Sequence, residues 1–189
     1  MAFINLEEAE EQALRQGQAL TASPKVSSEV EIERTYLVTN GNFIRHFGTY
    51  KHGTKNYIYK SKNGYLRITD KYIKPNDPIH TYKLTDKRTI SGSKRIENVR
   101  IMSKDEVGKW MKDHEKDLIG KAENEIYSMP DGSVVLIRHF PNGKTIITGE
   151  HEFESEKEAK SYKIPRWATT EVTNDPKYRG NQMAVDNFK

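Results

Sequence analysis

The sequence predicts a mainly β fold of the α+β class, with about eight antiparallel strands and flanking helices. Three observations carry this. Runs of period-two alternation recur from Glu29 to Thr173. Turn dipeptides separate several of them, at Asn63-Gly64, Asp131-Gly132 and Asn142-Gly143. One stretch changes to helical spacing, where the capping box Ser103-Lys104-Asp105-Glu106 leads into Val107, Trp110, Met111, His114 and Leu118.

Residues 1–27 read as an appendage, a short helix or partly disordered. They are acidic, then glutamine-rich, and end in the linker Thr21-Ala22-Ser23-Pro24-Lys25. Residues 28–189 form one domain. Strands are expected over 29–38, 56–60, 64–72, 79–87, 94–102, 121–128, 133–140, 144–154 and 168–173. A second short helix starts at Ser155, with Glu158 three residues on. These elements suit either a small closed barrel or an open sheet with a helix against it.

Composition bounds the function. The chain has 189 residues, 34% hydrophobic and 31% charged, so it is polar for a globular protein and a polar cavity would account for that. No apolar run is long enough to span a membrane, and the N-terminus lacks a secretory pattern. The absence of cysteine removes disulfides, thiolate nucleophiles and cysteine-zinc sites, and a cytoplasmic location is expected. Phosphate-binding glycine loops and a GxSxG elbow are also absent, and the six histidines lack metal-ligand spacing.

Charge is unevenly spread. Residues 51–104 carry fourteen Lys/Arg against four Asp/Glu, a surplus of +10, while the flanking segments are acidic. A basic middle between acidic flanks suits an anion held between bases and metal-binding acids. It also suits a nucleic-acid surface, with Tyr57, Tyr59, Tyr65, Tyr72 and Tyr82 interleaved, or simply a lysine-rich solvated edge.

The candidate site residues recur in phase. Glu31, Glu33 and Thr35 share one strand face. Arg67, Lys83 and the pairs Arg95/Glu97 and Glu150/Glu152 occupy alternating positions of four further strands. One such face is more often solvated than functional. Five of them, acidic and basic by turns, point to a ligand. Hard cations such as Mg²⁺ take carboxylate oxygens and bridge to phosphate.

Glu31-Ile32-Glu33-Arg34-Thr35-Tyr36-Leu37-Val38 resembles the opening Glu-x-Glu-x-Lys strand of the CYTH, or triphosphate tunnel, family. The resemblance extends to Tyr65-Leu66-Arg67-Ile68-Thr69, to Arg95-Ile96-Glu97, and to Trp167-Ala168-Thr169-Thr170-Glu171-Val172-Thr173-Asn174-Asp175-Pro176-Lys177-Tyr178 followed by Asn181. It covers roughly residues 29–185. It implies a closed antiparallel β-barrel tunnel and a divalent-metal-dependent phosphohydrolase acting on an inorganic or nucleotide triphosphate. Mg²⁺ or Mn²⁺ would be held by Glu31, Glu33, Glu150 and Glu152. Glu31 and Glu33 would be catalytic, Arg67, Lys83, Arg95 and Arg138 would bind phosphate, and Glu97 and Glu171 would extend the acidic set.

The chain departs from that pattern at several positions. Thr35 stands for the family's lysine, Thr69 for a second arginine, and Val99 for a common glutamate. Aligning the Asp131-Gly132 hairpin puts Glu123 and Glu125 where the family favours Lys-x-Arg, and Arg138 where it favours aspartate. A charge swap across the hairpin is therefore expected, with Arg138 meeting Glu123 or Glu125. The metal half of the site reads as retained and the phosphate half as rebuilt. The alternatives are a non-catalytic binding module for a phosphorylated nucleotide or signalling molecule, an RNA 5′-triphosphate binder, and a cyclase. A monomer or homodimer is expected.

Overall fold

A computed structural model describes the backbone of residues 26–62, 64–91 and 94–189, and the side chains of 31–62, 64–86 and 97–189. The appendage expected over 1–27 falls outside it except for Val26 and Ser27, which begin the first strand. The elements are β1 (Val26–Leu37), α1 (Gly41–Phe47), β2 (Thr49–Ser61), β3 (Gly64–Tyr72), β4 (Thr81–Ser91), β5 (Lys94–Met102), α2 (Lys104–Asp113), β6 (Leu118–Ser128), β7 (Val134–His139), β8 (Thr145–Glu152), α3 (Glu156–Ser161), β9 (Thr170–Glu171) and α4 (Gly180–Asp186).

All pairings are antiparallel, in the order β5-β4-β3-β2-β6-β7-β8-β1-β9. β1 also pairs with β5, through Val26–Ile32, before passing to β8 over Glu33–Leu37. At no residue does β1 carry β5 on one edge and β8 on the other. The expected eight-stranded closed barrel is therefore corrected to a nine-stranded antiparallel sheet that curls and meets itself end to end through β1.

Alternation sends the two faces of the sheet to different surroundings. The outer face is apolar. Val135, Ile137 and Tyr127 pack with Ile44 of α1, while Tyr59, Ile68 and Met102 pack with Val107 of α2. The capping box of α2 forms as expected, Ser103 accepting from the Glu106 amide and Glu106 from the Ser103 amide. The inner face carries the rows of charged side chains, and one end of it is closed by apolar residues. There Ile58, Ala122 and Phe140 bury Met183 and Ala184 of α4. Gly120 admits that helix, because a Cβ there would lie 2.9 Å from the Ala184 carbonyl carbon. Neither α1 nor α4 was expected, and β2 begins seven residues before its predicted start because a bulge between Tyr50 and His52 breaks the alternation.

The segment after α3 is tied to the outer face. Trp167 packs edge-on against Tyr36, donates to Asp131 at 2.9 Å, and sets its six-membered ring against Gly149. A Cβ at Gly149 would come within 2.2 Å of the indole. Gly149→Ala is therefore expected to cost about 1–3 kcal/mol by overpacking. Urea unfolding followed by tryptophan fluorescence would measure it, and an unchanged midpoint would mean that Trp167 does not press on β8.

Candidate functional site

The register fixes which charged residues share the inner face. Thr54 stands opposite Asn124 and Asn124 opposite Arg138, and the Asn124 amide donates to Thr54 at 2.8 Å. On the other side, Thr54 faces Lys71 and Lys71 faces Thr81, while Thr69 faces Lys83 and Arg67 faces Thr85. On β1, Glu33 faces Glu152 and Thr35 faces Glu150. Glu31, Glu33, Arg67, Lys83, Glu97, Arg138, Glu150 and Glu152 thus occupy in-phase positions of one face. Arg95 stands opposite Glu31 in the backbone register, and its side chain lies outside the described residues.

The face is dry for a charged surface. Glu33 and Lys71 are each 3% exposed and Arg138 is 5% exposed. Charges this deep persist only when paired or solvated by other polar groups. Arg67 Nη2 donates to Glu97 at 3.3 Å. Arg138 donates to the Thr148 hydroxyl and, at 3.0 Å, to Glu150. Burial pushes the Arg138 pKa down and Glu150 pushes it back up, while the charge of Arg67 across the curled sheet also lowers it. The N-terminus of α4 covers Arg138, with the guanidinium 3.7 Å from where a Gly180 Cβ would stand.

Two expectations fail. Arg138 does not meet Glu123 or Glu125. Register sets it opposite Asn124, so both glutamates face outward. Glu125 instead binds Arg45 at 2.7 Å, His139 at 2.9 Å and the Tyr127 hydroxyl at 2.8 Å, and Arg45 foremost holds its carboxyl down at about 2. The hairpin alignment was one residue out of phase, which moves every side chain to the other face. Nor does Glu171 join the inner acids. The Arg34 guanidinium, which alternates outward from Glu33 and Thr35, holds it through Nε at 2.9 Å and through Nη2. Arg34 also caps the carbonyls of Ala159 and Tyr162, and Thr173 donates to Glu171 at 2.7 Å. This pair anchors α3 and β9 to β1.

The four-glutamate metal set is not assembled as one cluster. Among the described residues no group of three or more His, Asp or Glu is placed to hold a metal ion. Glu150 is engaged by Arg138. What remains suited to a hard cation is the Glu33–Glu152 rung, with Glu31 in the same phase on β1. Two carboxylates completed by water and substrate phosphate suffice for Mg²⁺. The Glu33–Glu152 rung therefore supplies an oxygen donor pair of the kind one divalent ion takes.

The sequence reading passed over Lys71 and His52. Lys71 was legible, since it continues the Arg67, Thr69 alternation. His52 was hidden because its half of β2 follows a bulge.

No family model matches the chain, and no curated protein matches it. Solved structures do resemble it. A crystal structure of the inorganic triphosphatase NE1496 is 20% identical over 82% of this chain and 94% of that one, with a TM-score of 0.48. A Bacillus halodurans protein put forward as an adenylate cyclase is 21% identical over 70% of this chain and 85% of that one, TM-score 0.49. A Hippeastrum protein, put forward as an adenylyl cyclase and having a dominant triphosphatase activity, is 12% identical over 69% of this chain and 82% of that one, TM-score 0.43. The activities in these descriptions belong to those proteins.

Arg138→Met is expected to destabilise the fold by about 3 kcal/mol, the low end for breaking a buried pair, because Glu150 keeps some solvent. In a double-mutant cycle it should couple to Glu150→Gln and add independently with Glu125→Gln. Coupling to Glu125 instead would put Arg138 on the outer face.

Proposed function

We propose that the inner face binds a triphosphate and that the chain is a divalent-metal-dependent phosphohydrolase. The observation that carries this is the inner face itself: buried Lys71 on β3 and Arg138 on β7, with half-buried Arg67 and Lys83 on β3 and β4, in phase with carboxylates on β1 and β8. A polyanion taken out of water needs several cations within hydrogen-bond reach, and an arginine presents paired donors to phosphate oxygens. Arg67 and Arg138 lie close enough across the face for one to act electrostatically on the other. A phosphoryl group between them would relieve that repulsion. Lys83 extends the basic side, with Arg95 assigned there from the sequence.

Glu33 and Glu152 would hold Mg²⁺ or Mn²⁺, which when bound neutralises phosphate charge and makes its water more acidic. Glu31 and Glu33, on the same face of β1, would orient the attacking water. Thr35 and Thr69, where the resembled family has Lys and Arg, remove two cations from the same face, so the remaining bases carry more of the binding. Closure of the curled sheet around a bound triphosphate, between β5, β1 and β8, would complete a tunnel.

A second reading is binding without turnover, by a module that holds a phosphorylated nucleotide. The Arg138–Glu150 pair favours it, because it withdraws one carboxylate from the metal. The nucleic-acid reading is weaker. Arg67, Lys71 and Lys83 contribute to the +10 segment, yet they lie on the inner face rather than on an open surface. No helix among the described residues is long and apolar enough to cross a membrane. A cytoplasmic site of action fits a polyphosphate or nucleotide ligand.

Phosphate release from inorganic triphosphate, ATP and GTP, with Mg²⁺, Mn²⁺ or chelator, tests the proposal. Release should need the divalent ion and fall at least a hundredfold in Glu33→Gln, with triphosphate bound at least about tenfold tighter than its monophosphate. Tight binding with the ligand intact after long incubation would leave the binding module. Equal affinity for mono-, di- and triphosphate would overturn recognition by phosphate.

A further inference from the structure

α4 fills one end of the inner face, against Ile58 on β2. Six residues back along the same strand, about 20 Å at the rise of a β-strand, lies His52. It is in phase with Thr54, so it belongs to the inner face, and it is 6% exposed. Its Nδ1 is buried without a hydrogen-bond partner. On β4, the buried Thr81 hydroxyl likewise lacks one. Between these two strands, on β3, stands Lys71, opposite both Thr54 and Thr81. Two unpartnered polar atoms beside a buried ammonium are costly, since each forfeits about 1–3 kcal/mol of hydration. A single oxygen-rich anion would satisfy both.

The electrostatics agree with the geometry. Burial first, then the charges of Lys71, Lys83 and Lys51, hold the His52 pKa down at about 3. The imidazole is therefore neutral at ordinary pH and offers one N–H donor. Thr81 adds an O–H donor, and Lys71 and Lys83 supply positive charge.

We propose that His52, Thr81, Lys71 and Lys83 form an anion subsite that takes the terminal phosphoryl group of a bound polyphosphate chain, and so selects for chain length. This rests on the reading of the inner face as a polyphosphate site. Lys71 and Arg67 are four residues apart on β3, about 13 Å. Linked phosphates reached by both side chains bridge that span, and a lone phosphate does not.

Calorimetric titration of the full chain with inorganic phosphate, pyrophosphate and triphosphate is the test. Triphosphate should bind about tenfold tighter than pyrophosphate, and His52→Leu and Thr81→Val should each remove most of that step. His52→Asn should keep it, because the Asn amide nitrogen stands near the position of Nδ1. In the unaltered protein, the nitrogen resonances of the His52 imidazole should move on adding triphosphate, which tests the contact without any substitution. A triphosphate-over-pyrophosphate step that survives both His52→Leu and Thr81→Val, or unmoved resonances under saturating triphosphate, would overturn the subsite and leave the polyphosphate reading standing. Failure of all three compounds to bind the unaltered protein would overturn both.

Discussion

The rest of the structure depends on one constraint: the polar residues of eight strands share a face, and that face curls inward. A sheet ordinarily hides its apolar side and wets its polar one. Here the polar side is enclosed, so the apolar core must form on the outside. That is why Val135, Ile137, Tyr59 and Ile68 look outward and need cover. α1 and α2 supply it, and Trp167 with α3 covers the β1–β8 seam. The flanking helices follow from the charge of the interior.

Keeping such an interior folded requires that its charges answer one another. Arg67 is answered by Glu97 and Arg138 by Glu150. Threonine and asparagine hydroxyls and amides fill the rungs between them, as in the Thr54–Asn124 bond. These neutral groups give hydrogen bonds without adding repulsion. α4 closes one end with the apolar residues Met183 and Ala184, and Tyr65 reaches Gln182 at 3.0 Å at its edge. Exclusion of water at that end strengthens every charge interaction nearby, including that of the covered Arg138.

Much of this was written in alternation. Strands β3, β5, β7 and β8 fall within one or two residues of the ranges read from the sequence, because period two and the glycine turns agree there. The phase of Glu31, Glu33, Arg67, Lys83, Glu97, Glu150 and Glu152 was legible for the same reason. What failed needed knowledge of pairing. The face of Glu123 and Glu125 depends on the register of β6 against β7, and a turn dipeptide does not fix it to the residue. Glu171 read as an acid in a recognisable motif, yet its carboxylate is claimed by Arg34, which is 137 positions away. α4 is a seven-residue helix with no side-chain cap, held by the pocket it fills rather than by its own propensity.

The inner face is polarised. Glu31, Glu33 and Glu152 lie on β1 and β8, whereas Lys71 and Lys83 lie on β3 and β4. Between them Arg138 and Arg67 each hold a carboxylate of their own. A fixed guanidinium beside Glu150 supplies positive charge at a place where a cation would otherwise have to be recruited. It does so without coordination chemistry, so it can hold an anion but cannot activate water. A ligand carrying both phosphate and metal would then lie across the face with its metal toward β1 and its far phosphates toward β3 and β4. Charge alone dictates that orientation: reversing it would set phosphates against Glu33 and the metal against Lys71, two repulsions in a region that excludes water.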